Sequence, residues 1–346
     1  MIIQDSLARF DVGFGSALVD IILNRIPAVS ASLQSGLRRP GCRVSSDDSN
    51  IRGNMHTYLE SVGFKNIRNR REMDKLVSNT VLHFDEKHLF EDEDGRLMGE
   101  FSREYAPDMG VTVCGEFDDR GDFHPDYYIP YLHANNISSN EEVTVERHAG
   151  KVSYAGACDD ARCGVTIIFY LLNMGEYRSR IHQIDPNEKL GPVRFSALAR
   201  DGKVLLPVRK EEWWVKQAEK KSIEHTKLVN AARVGDEDAI ESLTVEDMDL
   251  YTMIQQRIPN EDVFSIVDTT FMPYGIECDQ YSIVGTINRL EKVRNIYSGE
   301  SIWKMEVTAS DITFDVCINE SSLMGEPKEG RRLRANVLLE GEICFT

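Results

Sequence analysis

The sequence lacks the short motifs that usually mark a catalytic or nucleotide-binding site. It has no phosphate-binding loop, no dinucleotide-binding glycine pattern, and neither the HExxH nor the GxSxG element. It also has no apolar run close to the roughly 18 residues that a membrane-spanning helix needs. The lack of a long apolar run argues against a membrane protein. The lack of these motifs means that no sequence signature supports an enzyme.

Basic charge is scarce, since 40 Lys and Arg residues face 57 Asp and Glu residues and give a net charge of -17. Such a surface repels polyanions, which disfavours nucleic acid and anionic membranes as partners. Disulfide spacing is absent as well: the seven cysteines are odd in number and include no CxxC pair. That usage is typical of a reducing compartment, so we expect a cytoplasmic protein.

Residues 1–54 differ in composition from the rest of the chain. They contain six Arg but no Lys and no Glu, and a polar stretch without a hydrophobic pattern ends the segment. We expect a disordered or non-native N-terminal extension, with Met55 as the natural start.

The pattern of residues 55–208 predicts an α+β domain with a mainly antiparallel sheet. Asn69 is a suitable N-cap for an amphipathic helix, and Gly63 can end a short helical turn before it. Pairs of strand-like runs follow, separated by turn residues, and the apolar run 165–172 indicates a buried strand. An Asp201-Gly202 turn predicts a last hairpin.

Residues 209–260 read as a helical connector, and residues 261–346 read as a small β-barrel domain. Alternation with a period of two predicts about five short strands, the size of an OB-like barrel, with a short helix in 319–327. The stretch 244–287 is expected to pack where the domains meet. Binding clefts often form at such junctions, so Tyr274 and Tyr281 are the predicted partner-binding residues.

Two clusters could carry chemistry. Cys158, Asp159 and Asp160 precede the buried strand, and His148 could serve as a base for the thiol. The alternative is a polar loop in which the aspartates cap a turn and the cysteine packs as a small apolar residue.

The second cluster lies in the turn that contains Asp118, Asp119, Asp122 and His124. Its spacing, like that of Cys158 and Cys163, matches neither a tetrahedral zinc site nor a calcium loop. We therefore predict a solvated turn, with no bound metal and no cofactor.

Four segments resemble an uncharacterised bacterial family of Clostridia type, the domain of unknown function numbered 3881. They are MHTYLESVGF, YAGACDD with GVTIIFYLLN, AARVGDEDAIESLTVEDMD and EDVFSIVDTTFMPYGIECDQYSIVGTI. The resemblance runs from about Met55 to the C-terminus, which agrees with the compositional break. It implies no catalytic residue, cofactor or partner.

Two classes of function remain from the sequence. The first is a cytosolic protein that binds a macromolecule, with a protein partner favoured over nucleic acid. The alternative is a hydrolase or metal-dependent enzyme with its site near His148, Cys158, Asp159 and Asp160. The missing motifs favour binding over catalysis.

Overall fold

A computed structural model gives the fold for a defined part of the chain. It describes residues 57–67, 69–92, 95–147, 153–163, 165–180, 190–207, 227–228, 231–232, 236–243, 269–275 and 278–345. The predicted N-terminal extension and most of the predicted helical connector lie outside these residues.

Contacts divide the chain into two compact units. One unit consists of residues 1–45, 161–165 and 208–268, and the other of residues 46–160, 166–207 and 269–346. In the first unit, residues 237–243 are helical, and Leu243 is buried against Ala161. Leu228 and Ala232 pack on that pair, so the described part of this unit has its own small apolar cluster.

The second unit begins with the two helical segments that the sequence predicts. A 3-10 helix at Leu59–Val62 ends at Gly63, whose φ of 87° is the left-handed conformation that glycine adopts readily. Helix α1, Arg70–Leu82, starts after Asn69, and the Asn69 side chain accepts a hydrogen bond from the backbone N–H of Glu72. Both capping predictions are confirmed.

A four-stranded antiparallel sheet, here called sheet A, follows in the order β1-β2-β3-β4. Its strands are β1 (Glu86–Glu91), β2 (Leu97–Ala106), β3 (Met109–Phe117) and β4 (Phe123–Leu132). Neighbouring strands are consecutive in the sequence, so each pairing is local. The predicted pairs of strand-like runs are therefore confirmed here.

The second sheet contains ten strands. Three lie before the barrel region in the sequence: β5 (Val143–Arg147), β6 (Tyr154–Cys158) and β7 (Ile167–Leu171), with helix α2 (Met174–Arg180) after β7. The remaining seven are β8 (Val193–Leu205), β9 (Thr270–Pro273), β10 (Gln280–Arg294), β11 (Ser301–Ala309), β12 (Ile312–Asn319), β13 (Leu323–Met324) and β14 (Arg332–Ile343).

Five of these strands close into a barrel. The neighbours run β8-β12-β11-β10-β14, and β14 pairs again with β8 to complete the ring. The β8–β12 pair is parallel and the other four pairs are antiparallel. A 3-10 turn at Glu320–Ser322 follows β12, where the sequence predicts a short helix. The described fold is mostly β with few helices, which fits the coarse α+β prediction.

Two predictions about individual strands are wrong. The Asp201-Gly202 turn does not form a hairpin, because β8 runs through it and pairs with β14 along its whole length. The register between the two strands shifts at Asn336 and Val337, opposite this point. An extra residue in β8 therefore makes a bulge. A Cβ atom on Gly202 would lie 2.9 Å from Cδ1 of Ile318, so this side chain would have to shift.

The last strand is also longer than the short strands that the sequence predicts, since β14 continues through Glu340 and Gly341 to Ile343. A Cβ atom on Gly341 would lie 2.4 Å from the ring of Phe169 in β7, so the glycine lets this ring pack against the sheet. Strand β8, which closes the barrel, therefore lies within residues 55–208, which the sequence assigns to the α+β domain. Its partner strands all lie beyond residue 280.

Parts of the barrel strands are buried on both faces. Met305 and Val316 lie on one face, and Lys304 and Cys317 on the other, yet all four are buried. The second face belongs to a core with residues of the first helical segments and of sheet A. That core includes Leu59, Leu76, Tyr105, Met109, Leu132, Leu198, Ile302, Cys317 and Leu338. Sheet A therefore packs on the outside of the barrel.

Within the part of the chain that the structure describes, no helix is long and apolar enough to cross a membrane.

Asn295 links the barrel to the 3-10 helix at Leu59–Val62. Its fully buried side chain donates from Nδ2 to the carbonyl of Val62 at 2.8 Å, and its Oδ1 accepts from the backbone N–H groups of Tyr297 and Ser298. One amide side chain thus satisfies three backbone groups, and the buried carbonyl of Val62 would cost free energy if left unpaired.

We predict that Asn295→Ala lowers the free energy of unfolding by roughly 2–4 kcal/mol, because it leaves these groups without partners. Chemical denaturation of the purified protein measures this loss. Asn288→Ala is the control, since Asn288 is exposed and its side chain bonds the side chains of Thr308 and Glu306. It should cost less than about 1 kcal/mol, and equal losses in the two variants would contradict the assigned role of Asn295.

Candidate functional site

The predicted Cys158 cluster forms a buried chain of hydrogen bonds. The Cys158 thiol donates to Oγ of Ser139 at 3.7 Å, and Ser139 Oγ donates to Oδ2 of Asp160 at 2.5 Å. All three side chains are almost fully buried. Burial raises the pKa of Cys158 to about 11, although the Ser139 hydroxyl lowers it in part. The thiol is therefore protonated at neutral pH, which is unsuited to a nucleophile.

The two neighbouring aspartates point in different directions. Asp159 is exposed and accepts a hydrogen bond from the Thr166 hydroxyl, whereas Asp160 turns inward to Ser139. The structure therefore brings Cys158 and Asp160 to the same hydrogen-bond chain and leaves Asp159 outside it. His148, the predicted base, lies outside the described residues.

The Asp118 turn has a local structural role. Oδ1 of Asp118 accepts from the backbone N–H groups of Arg120 and Asp122 at 2.9 Å each, and Oδ2 pairs with Nε2 of His124 at 3.1 Å. The hydrogen bond between Asp118 and His124 lowers the pKa of the Asp118 carboxyl and raises the pKa of the His124 imidazole. Among the described residues, no group of three His, Cys, Asp or Glu side chains is placed to hold a metal ion.

The two predicted partner-binding tyrosines differ in exposure. Tyr281 is 1% exposed, its ring packs on Phe271, and its hydroxyl bonds both the N–H and the carbonyl of Ile168. It is a core residue with its polar end satisfied, so it is not accessible to a partner. Tyr274 is 37% exposed at the end of β9 and stays a candidate contact.

One face of sheet A carries a row of polar side chains that sequence reasoning missed. His88, Glu100, Cys114 and Tyr127 are successive cross-strand partners on β1 to β4. Oε1 of Glu100 lies 3.9 Å from the Cys114 thiol, and Oε2 accepts from the backbone N–H of Gly175 at 3.0 Å. Glu100 thereby joins sheet A to the first turn of α2.

This row is buried at its centre, which changes its acid–base behaviour. Burial raises the pKa of Glu100 to about 7, against the lowering effects of the Gly175 N–H and the Cys114 thiol. Burial, helped by the nearby Glu100 charge, also raises the pKa of Cys114 well above its ordinary value. The row therefore contains a thiol in its protonated form and a carboxyl that changes charge near neutral pH.

The opposite face of sheet A carries exposed apolar side chains. Strand register places Leu89, Lys87, Phe117 and Phe123 on this face with Gly99, Phe101 and Gly115. By alternation Leu97 lies there as well, and Phe84 packs on Phe101 with ring centroids 5.3 Å apart. We call the surface formed by Phe84, Lys87, Leu89, Leu97, Phe117 and Phe123 the aromatic face.

Large side chains on the aromatic face remain open to solvent. Phe84 and Leu97 are each 43% exposed and Leu89 is 46% exposed. The rings lie close to the sheet because Gly99 and Gly115 leave space: a Cβ atom on Gly99 would approach the Phe117 ring to 2.8 Å. Nζ of Lys87 lies 5.3 Å from the centroid of the Phe101 ring and 5.8 Å from that of Phe117. The Lys87 cation thus lies over the buried Phe101 ring and the half-buried Phe117 ring.

We predict that Glu100→Gln flattens the pH dependence of stability. The folded-state pKa of Glu100 is raised from 4.5 to about 7, so its contribution is complete below the unfolded pKa and is lost as pH rises to about 7. The wild-type free energy of unfolding should fall by about 3 kcal/mol relative to the variant across this window.

Chemical denaturation at a series of pH values measures that difference. Glu291→Gln, which changes an exposed carboxyl on β10, should keep the wild-type pH dependence. A Glu100→Gln curve parallel to that of the wild type would show that burial does not hold the Glu100 proton.

Comparisons with known proteins give one match. Residues 59–341 match the family model described as "Domain of unknown function, E. rectale Gene description (DUF3881)". No curated protein and no solved structure matches the chain. The match spans well over half of the sequence and confirms the resemblance seen in its four segments. The chain therefore belongs to this family of unknown function.

Proposed function

We propose that this protein acts by binding a protein partner through the aromatic face of sheet A. The observation that carries the proposal is the group of exposed apolar side chains, Phe84, Leu89 and Leu97, beside half-buried aromatic rings. Contiguous exposed apolar surface is a common feature of protein-interaction sites, since a soluble protein otherwise tends to cover it.

The charge of this surface indicates the chemistry of the partner segment. Lys87 is exposed above the rings, and no described acidic side chain forms an ion pair with it. A segment with apolar side chains and a carboxylate could cover the rings and pair with this ammonium group. Nucleic acid is a poorer candidate, because the whole chain has a net charge of -17. The odd cysteine count supports a cytoplasmic location.

The hydrolase alternative has less support from the geometry. It needs a Cys158 thiolate with a base, whereas burial raises the pKa of this thiol to about 11 and its hydrogen-bond partner is Ser139. A metal-dependent version would need a group of ligands, and the described residues provide none.

We also propose that the five-stranded barrel is OB-like. In support, β10, β11 and β12 form an antiparallel meander, and a short 3-10 turn separates β12 from the next barrel strand, β14. In this proposal β8, which precedes the meander, closes the barrel through its parallel pair with β12. The similarity concerns fold and carries no function by itself.

Site-specific photo-crosslinking in the native cell tests the proposed surface. A photoreactive amino acid at position 97 should give a discrete adduct that protease removes and nuclease does not. Position 137 is the matched control, because Ile137 is similarly exposed but lies outside sheet A. Adding Phe84→Ser should lower the yield at position 97 about tenfold, the effect of losing roughly 1.4 kcal/mol of binding free energy.

A third crosslinker position, 274, separates this surface from the one that the sequence predicts. An adduct at position 274 with none at position 97 would move the contact to the end of β9. A nuclease-sensitive adduct, or none at either position, would contradict protein binding through sheet A.

A further inference from the structure

The last residue of β4, Leu132, and the residue after it, His133, are held against β14 by two neighbouring contacts. The backbone N–H of Leu132 donates to Oε2 of Glu340 at 3.1 Å. Next to it, Nδ1 of His133 forms a hydrogen bond with Oε1 of Glu342. Glu340 and Glu342 lie on the same face of β14, since side chains alternate along a strand. These are direct polar links between sheet A and the barrel.

Glu340 is an unusual group for this position. Its side chain has no solvent exposure, and its second oxygen, Oε1, has no hydrogen-bond partner within the described part of the chain. Its cross-strand neighbours are Tyr170 of β7 and Ser196 of β8. A buried carboxylate without a cation is strongly disfavoured, so the neutral acid is the form that this site accommodates.

The cation Arg194 lies across from Glu342 on β8, but the charges that act on Glu340 itself are negative and do not compensate an ionised carboxylate. Glu342 on the same strand and Asp279 before β10 are both acidic, Cys317 on β12 is a protonated thiol, and Tyr170 is a neutral phenol. Burial raises the pKa of Glu340 well above its usual value, and the Leu132 N–H lowers it only in part. Protonation therefore stabilises the closed contact.

The pKa of His133 is raised as well, but for a different reason. Burial alone lowers its pKa, but the hydrogen bond to Glu342 and the negative charges of Glu342, Glu86 and Asp108 raise it overall. Lys304, the nearest described cation to Asp108, forms an ion pair with that carboxylate. Protonated His133 thus pairs with Glu342, and the pair weakens when the imidazole loses its proton.

We propose that these two contacts form a pH-sensitive latch, in which protons on Glu340 and His133 hold the end of β4 against β14 and their release to solvent frees it. Both groups bind their proton more tightly in the closed state than when exposed. Their stabilisation is therefore complete at low pH and is lost as pH rises.

Hydrogen exchange of the Leu132 amide tests the latch directly. Wild type, Glu340→Gln and the exposed-site control Glu291→Gln are compared at each pH between about 5 and 9, so that the intrinsic exchange rate cancels. The ratio of the opening equilibrium constant of the wild type to that of Glu340→Gln should rise with pH. The expected rise is up to tenfold per pH unit between the ordinary and the raised pKa of the carboxyl. Glu291→Gln should follow the wild type.

A substitution of His133 tests the second contact separately. His133→Gln should increase Leu132 exchange at low pH, where the wild-type imidazole is charged, and leave the Glu340-dependent rise in place. A constant ratio between wild type and Glu340→Gln over the whole pH range would overturn the proposal, as would a rise in the wild type as pH falls.

A second measurement needs no variant at Glu340. In a Glu100→Gln chain, pH-difference infrared spectroscopy should show the carbonyl band of a buried protonated carboxyl at neutral pH. That band should disappear over the same pH range in which Leu132 loses protection. If Glu340→Gln fails to fold, this result still decides the proposal: absence of the band at neutral pH would overturn it.

Discussion

The pairing of β14 with its neighbours is the constraint on which the described second unit depends. β14 pairs with β8 over twelve residue pairs and with β10 on its other side, and these pairings close the barrel. Its last residues pair with β7 and so bring β5 to β7 into the same sheet. Through Glu340 and Glu342, the same strand also contacts the end of β4 in sheet A.

This arrangement explains how a chain with many polar residues in its strands can have an extensive interior. The barrel strands bury one face inside the barrel and part of the other against sheet A, so Lys304, Cys317 and Glu340 all become buried. Lys304 forms an ion pair with Asp108, whereas Oε1 of Glu340 and Nε of Arg194 have no hydrogen-bond partner among the described residues.

The sequence predicted the parts of the fold that local rules control. Asn69 caps α1 because its side chain reaches the N–H of Glu72 three residues ahead, and sheet A forms from strands that are consecutive in the chain. Prediction from the sequence failed where segments that are distant in the chain determine the strand pairing. The Asp201-Gly202 pair reads as a turn, but β14, over 130 residues away, extends the strand through it.

The candidate sites show the same division. Glu100 alternates with Gly99 and Phe101, so the pattern alone suggests an exposed acid, and only the approach of α2 buries it. Tyr281 was predicted to be a partner contact, yet the backbone of Ile168 satisfies its hydroxyl inside the core. The aromatic face could have been found from Phe101, Phe117 and Phe123, had their strand register been known.

Native-state hydrogen exchange in low denaturant tests most directly whether β14 unites these strands. Amides of β8, β10, β12 and β14 should open with the same free energy, equal to that of global unfolding, because the barrel is closed only when all of them pair. Opening of β8 at a distinctly lower free energy, while β10 to β12 stay protected, would contradict this account.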